Sequence, residues 1–302
     1  MPSAGDALFF PAAQRLTIAL AGALGLIIAV ERRHLRELNT RTLFVRWRTW
    51  VVTAPIFGFA AMGPEGVAVG FVAALSLQAM REYAALTSLP RPYRYALYVA
   101  GVASAPIAAT SLTVWRAMPP VLLIGATLAP LVMQDVQNGV RHLAFAALGF
   151  AYVPWLLGYL LLIREHVDGG RGILLAIGTA VAASDVFAFV VGRATGRHPL
   201  AGRVSPAKTW EGVAGNLAGA YAGFVLMSFA LPSTLNPVVR WVLPAVVATG
   251  CVWGDLVESL IKRHAGAKDA GAWLPGFGGI LDRIDSLLLV LPLAYTVLVV
   301  WK

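Results

Sequence analysis

The sequence predicts an all-α polytopic integral membrane protein with about nine or ten transmembrane helices, each span needing ~20 apolar residues. Three observations predict it. Of 302 residues, 58% are hydrophobic and 13% are charged, against about 25% charged in an ordinary soluble domain. Mean hydropathy is +0.73. Apolar runs of spanning length also recur along the chain, separated by short basic or Gly/Pro-rich breaks.

The runs lie near 14–31, 49–63, 65–81, 95–113, 118–134, 142–163, 172–192, 210–231, 238–261 and 280–301. The first has no basic segment before it, ends in Glu31-Arg32-Arg33 and is followed by no small-residue cleavage site. It is therefore expected to be an uncleaved span rather than a signal peptide. The second and third are short and split by Gly63-Pro64, which suits either a tight hairpin or one bent element. Orientation follows from basic residues, which gather in cytoplasmic loops. Arg32, Arg33, Arg36, Arg41, Arg46 and Arg48 mark one loop, and Arg91 with Arg94 a second. Arg193, Arg197, Arg203 and Lys208 mark a third, and Lys262, Arg263 and Lys268 a fourth. With ten spans all four fall on one face and both termini on the other.

The net charge of +9 comes from twenty Arg and four Lys against fifteen acidic residues, and topology accounts for much of the Arg set. All four lysines stand in the last third of the chain, three of them, Lys208, Lys262 and Lys268, among its polar motifs. They point to a site needing compact positive charge. The single cysteine, Cys251, excludes an internal disulfide and makes no thiolate metal cluster. With neither repeat nor linker, the chain is expected to form one continuous membrane domain. Its N-terminal transmembrane region, 1–170, is mostly apolar, and its C-terminal region, 171–302, holds the polar motifs.

Two polar stripes carry chemistry. In CVWGDLVESLIKR, Asp255, Glu258, Ser259 and Lys262 fall at i, i+3, i+4 and i+7, on one helix face. A carboxylate in hydrocarbon is expensive, so that face should look into protein or a wet cavity. A plain Glu258–Lys262 ion pair would explain part of the stripe, but not Asp255, one turn deeper. In the last span Asp282 and Asp285 stand at i, i+3 with Ser286 beside them. Helix capping is one account. The other is a hard cation such as Mg²⁺, since the ligands are oxygen only. Between the stripes lies a basic segment broken by Gly266, Gly271, Pro275, Gly276, Gly278 and Gly279, a composition that lets backbone approach an anion. Upstream, Asp185 lies inside the seventh run. Ser205, Lys208 and Thr209 precede a helix start with Glu211 in its first turn. Hydroxyls and a lysine there suit either capping or phosphate binding. The P-loop spacing is absent.

These motifs together resemble the phosphatidate cytidylyltransferases, also called CDP-diacylglycerol synthases. The matching residues are Ser259-x-x-Lys262-Arg263, Lys268-Asp269, Pro275-Gly276-Phe277-Gly278-Gly279 and Asp282-Arg283-Ile284-Asp285. Upstream, Ser205-Pro206-x-Lys208-Thr209-x-Glu211-Gly212 and Gly254-Asp255-x-x-Glu258-Ser259 follow in family order. The resemblance is long and specific over about 180–290. It extends more loosely to RTW at 48–50 and REYAAL at 81–86, features of a bacterial side branch. The chain departs from the family at Phe277, where the pattern has His, and at Phe189, where Tyr is frequent. A His can donate to a phosphate or carboxylate and Phe cannot. A buried partner left unpaired costs ~1–3 kcal/mol, or about ten- to a hundredfold in rate.

The resemblance implies that CTP and phosphatidate, or a related lipid phosphate, give CDP-diacylglycerol and pyrophosphate. It implies Mg²⁺, with room for a second metal ion, a homodimer among membrane lipids in a bacterial inner membrane, and no nucleic-acid partner. The roles it suggests are as follows. Asp255 and Asp282, with Asp285 helping, hold the metal, and Asp255, Asp282, Lys262 and Lys268 are catalytic. Ser205, Lys208, Thr209, Arg263, Asp269, Arg283 and Asp185 bind substrate. Asp185 either orients Lys208 or meets nucleotide. Three other functions compete: a transporter, a weakly active paralogue serving as a membrane partner, and a transferase for another lipid phosphate. Against transport, the charges cluster near one face and do not continue to the other.

Overall fold

The computed structural model describes residues 10–18, 21–22, 42–271 and 278–301. Most of the first predicted span, the basic cluster at 32–41 and Phe277 lie outside them. Gly63-Pro64 separates two helices, α1 (Thr42–Met62) and α2 (Glu65–Leu86), so the hairpin alternative holds over the single bent element. Proline has no N–H to continue a helix, and its fixed φ suits a new start. Ser111 joins α3 (Arg91–Thr110) to α4 (Leu112–Ala126), its hydroxyl accepting from Val114 N. After a short α5 (Leu128–Val132) come α6 (Gly139–Phe150), one π-helical turn (Ala151–Trp155) and α7 (Leu156–His166). Pro154 inside that turn lacks the N–H that an α-helical ladder would use.

Gly169, at φ 67°, reverses the chain into α8 (Gly170–Thr195). The basic residues from Arg193 to Lys208 mark the next stretch as a loop. It is instead a two-stranded antiparallel ribbon, β1 (Pro199–Ala201) with β2 (Ser205–Thr209), the one sheet among the described residues of an otherwise helical fold. Pairing satisfies backbone groups that a loose loop would leave to water. Three helices close the chain: α9 (Trp210–Leu226), α10 (Pro237–His264) and α11 (Leu281–Val300).

Long-range contacts sort the helix ends into two groups. At one end the Glu82 carboxylate meets Ile280 N and Leu281 N, Lys208 meets Asp255, and Tyr83 donates to Phe145 O at 3.0 Å. At the other end Arg164 Nε donates to Ala61 O at 3.1 Å, and Asn236 Nδ2 to Trp301 O at 3.3 Å. Helices therefore run alternately up and down, and the predicted basic loops around 91–94, 193–208 and 262–268 share the first end.

Among the described residues, five helical stretches are long and apolar enough to cross a membrane: Leu112–Val132, Gly139–His166, Gly170–Thr195, Pro237–His264 and Leu281–Val300. Within Leu112–Val132 only 6% of the apolar window is buried. A helical stretch this apolar and covered by almost no protein needs lipid as its solvent. The chain is thus an integral membrane protein.

Two styles of packing hold the bundle. Around α7, Leu157, Leu160, Leu161, Leu162 and Ile163 are fully buried, and Trp115 stacks on Trp155 at 5.3 Å. Between α8 and α9 the contact is backbone on backbone. A Cβ on Gly215 would meet Phe187 O, one on Gly219 would meet Ala183 O, and one on Gly223 would meet Ala180 Cα. Small residues at i, i+4 spacing let membrane helices approach this closely.

Candidate active site

The site forms where α10 and α11 meet. Gly250 and Gly254 face α11, and a Cβ on Gly254 would meet the carbonyl oxygen of Asp285. This close approach sets the carboxylates of the two stripes against each other across the interface. Asp255 faces Asp285, and Glu258 faces Asp282, each pair close enough to interact electrostatically. The sequence places Asp282 and Asp285 together along one helix. In the structure each instead faces an acid of the neighbouring helix, because Gly250 and Gly254 let the two backbones approach closely.

Two lysines meet these pairs. Lys262 Nζ lies 2.7 Å from Asp282 Oδ1 and 2.5 Å from Glu258 Oε2. Lys208, arriving on β2, forms an ion pair with Asp255 Oδ2. The Glu258–Lys262 i, i+4 pair thus exists, but the same ammonium also serves the facing helix. Asp282 Oδ2 accepts from Ala270 N at 2.9 Å and from Gly279 N at 2.7 Å. Asp282 therefore fixes both flanks of the 270–279 segment as well as its lysine.

Four carboxyl groups against two ammonium groups leave an acidic surplus. Glu258 is 1% exposed. Neither of its oxygens has a hydrogen bond, the Lys262 contact being an ion pair by distance without hydrogen-bond alignment. A buried carboxylate so placed is costly unless paired. The donor set is oxygen only, which fits a hard divalent cation. Among the described residues no three acidic, His or Cys side chains stand together as a metal-ligand set. The three predicted ligands are divided, Asp255 and Asp285 in one pair and Asp282 in the other. The Asp255 side chain is 40% exposed, so the site is open to a ligand from that side.

The remaining predicted residues take varied positions. Asp285 is buried, and its Oδ1 accepts from Ser286 N at 2.8 Å. Asp185, half-buried on α8, is within electrostatic range of Asp285 and Cys251. Ser205 opens β2. The Thr209 hydroxyl accepts from Gly212 N at 3.1 Å and caps α9. Arg263 donates to Ala267 O at 3.3 Å and to Val204 O at 3.5 Å, tying the end of α10 to the ribbon. Lys268, Asp269 and Arg283 are exposed, outside the two ion-paired clusters. Phe277 falls outside the described residues. The Phe189 ring lies under the Arg193 guanidinium, 5.9 Å from it.

Two residues of this end were absent from the sequence-based site. Glu258 was visible in the stripe but received no role. Glu82, in REYAAL, is 6% exposed and sits against the start of α11. An acid within an apolar helix was the available signal for it. Glu211 organises the ribbon's entry, accepting from Arg197 N at 3.1 Å and meeting His198 Nδ1 at 2.6 Å.

The profile of the Cytidylyltransferase family matches residues 44–301. The chain is 31% identical over 272 residues to the phosphatidate cytidylyltransferase of Thermotoga maritima, covering 86% of this chain and 96% of that protein. It is 41% identical over 165 residues to the phosphatidate cytidylyltransferase of Mycobacterium leprae, covering 54% of this chain and 52% of that one. A plant relative, phosphatidate cytidylyltransferase 5, chloroplastic, of Arabidopsis thaliana, is 46% identical over 133 residues, 44% of this chain and 33% of that protein. The match thus spans nearly all of the first relative, about half of the second and a third of the third.

Proposed function

The chain belongs to the cytidylyltransferase family, and on that premise we propose that it transfers CMP from CTP to phosphatidate, giving CDP-diacylglycerol and pyrophosphate, at the cytoplasmic face of a bacterial inner membrane. One observation carries this reading: two lysines and four carboxyl groups, drawn from β2, α10 and α11, meet at the end of the bundle where the basic loops gather. A soluble polyanionic nucleotide and a lipid headgroup can meet only at such a boundary. The full ten-span topology, a homodimer and surrounding membrane lipids belong to the same proposal.

In this reaction an oxygen of the lipid phosphate attacks the α-phosphorus of CTP. A new O–P bond forms, the α–β bridging P–O bond breaks, and pyrophosphate leaves with that bridging oxygen. The nucleophile is already anionic at neutral pH, so no strong general base is required. The protein has to hold two polyanions in line and stabilise charge on the leaving group. Asp255, Asp282 and Asp285 would hold Mg²⁺, which supplies charge neutralisation when bound, and the acidic surplus would admit a second ion. Lys208 and Lys262 hold the carboxylates now and are placed to transfer their N–H donors to phosphate oxygens. Lys268, Arg263 and Arg283 border the site as further cationic groups, Asp269 beside them. Ser205 and Thr209 belong to the strand that delivers Lys208, and Asp185 faces the cluster from α8.

The test is purified protein with CTP, Mg²⁺ and a panel of lipid phosphates, with pyrophosphate release as readout. Release that requires phosphatidate, Mg²⁺ and CTP together is the expected result. Release with another lipid phosphate alone would reassign the acceptor. Nucleotide binding without release under every condition would defeat the enzymatic reading.

A further inference from the structure

The start of α11 has an unusual cap. Its own N-cap residue, Ile280, offers no side chain to the orphan N–H groups of the first turn. They are met from the other end of the sequence. Glu82 Oε1 accepts from Ile280 N at 3.0 Å and Oε2 from Leu281 N at 2.8 Å, across 198 and 199 residues. Gln78 Nε2 donates to Glu82 Oε1 at 2.9 Å, one turn earlier on α2, which fixes the carboxylate's orientation. The glycines at 271 and 279 wrap the same group, since a Cβ at either would press on the Glu82 side chain. Glu82 is therefore a buried carboxylate whose accepted bonds come from backbone and amide groups, with the chain folded tightly around it.

Its position bears on the chemistry proposed above. Asp282 stands one residue beyond Leu281 and accepts from Gly279 N, one residue before Ile280. The N–H groups of 279, 280 and 281 are thus divided between two carboxylates. Asp282 takes the first, and Glu82 takes the next two from the opposite side. Without Glu82 the two orphan donors would be left to compete for the Asp282 carboxylate, which already accepts from Gly279 N, and would draw it from Lys262. We propose that Glu82 is a positioning residue for the transferase: it captures the Ile280 and Leu281 amides so that the Asp282 carboxylate stays aimed at Lys262 and at the phosphates or cation bound there. This rests on the proposed function for its catalytic consequence, but its geometric part can be tested separately.

The experiment compares wild type, Glu82→Gln and Glu82→Ala in detergent, by steady-state kinetics, thermal unfolding and hydrogen exchange of the peptide covering 278–284. Glu82→Ala should lower kcat about ten- to a hundredfold while KM for CTP stays within about threefold, because a positioning residue acts through Asp282. Glu82→Gln keeps one acceptor oxygen and should recover part of kcat. Exchange at Ile280 and Leu281 should rise about tenfold or more in the alanine variant, with α8 and α9 unchanged. A purely structural role would lower the unfolding temperature without the kcat-against-KM split. Wild-type kcat in a folded Glu82→Ala variant, or a loss expressed wholly in KM, would overturn the proposal. If wild type itself released no pyrophosphate, the functional reading would fail. Unchanged exchange at 280–281 in the alanine variant would then overturn the capping role as well, whereas faster exchange would leave capping supported on its own.

Discussion

The two regions of this bundle are packed by opposite means. Around α3, α4 and α7, large side chains meet: Trp115 on Trp155, Tyr159 edge-on to Trp115 at 4.9 Å, and a fully buried run from Leu160 to Ile163. Around α8 to α11, glycines meet backbone. Interlocked side chains tolerate repacking of similar volume. Backbone contact across a glycine has no slack, and here it fixes how far apart carboxylates on adjacent helices stand. The first region should therefore govern whether the protein stays folded, and the second whether it turns over.

The comparison is broken most severely at Asp282. It receives Lys262 and two backbone N–H groups at once. Asp282→Asn should lower pyrophosphate release by at least about 100-fold, the scale for losing one preorganised electrostatic group, with a folded, monodisperse protein in detergent. Turnover near the wild-type level would remove Asp282 from the mechanism. Gly254→Val comes next. Its side chain has nowhere to go but into the Asp285 carbonyl. Overpacking costs about 1–3 kcal/mol, and separation of α10 from α11 should reduce kcat well beyond what the fall in unfolding temperature explains. A variant that loses stability and activity in proportion would show that spacing there is not special.

Much of this architecture was legible in the residues. Apolar runs located the helices from 42 onward because a span must satisfy its backbone internally, and Gly63-Pro64 marked a real boundary. Asp255, Glu258 and Lys262 were legible as one face because helical periodicity is local. What could not be read was which face met which. The Asp255–Asp285 and Glu258–Asp282 pairings depend on how closely Gly250 and Gly254 let α11 approach. The i, i+4 spacing of those two glycines was the available sign. Glu82 is further out of reach: nothing at residue 82 indicates a partner 198 residues later. The ribbon at 199–209 was missed because its strands are only three and five residues long and carry prolines, with no alternation to read.

Lys208 tests the site at its edge. It bridges the ribbon to Asp255, whose side chain is partly open. Lys208→Met keeps the length of the stem and removes the charge. KM for CTP should rise about tenfold, corresponding to ~1.4 kcal/mol, with a smaller change in kcat than at Asp282. An unchanged KM would place the triphosphate elsewhere. The other region gives the converse. Trp115 is 1% exposed in the aromatic cluster, and Trp115→Ala should cost about 3–5 kcal/mol of stability. Activity per folded molecule should remain within about threefold. A large specific-activity loss in the folded fraction would mean that the two regions are coupled more tightly than their packing implies.

The smallest effect is expected at Asp135, in the turn between α5 and α6. Asn138 N donates to its Oδ1 at 3.0 Å, and His142 Nδ1 lies 2.9 Å from Oδ2. The Asn138 bond first, and His142 second, hold this carboxyl below its ordinary range. A depressed folded value means that the ionised form is favoured by folding. The contribution is therefore present above the unfolded value of about 3.9 and is lost as pH falls through the lower folded value. Asp135→Asn should leave turnover at neutral pH within about twofold, since the turn lies outside the carboxylate clusters. It should lower the unfolding temperature slightly at pH 7, and the gap from wild type should close as the pH falls through the lowered folded value, below which both forms carry a neutral side chain. A gap that stays constant through that window would assign the residue's contribution to the shape of the turn, which asparagine changes, and not to its charge.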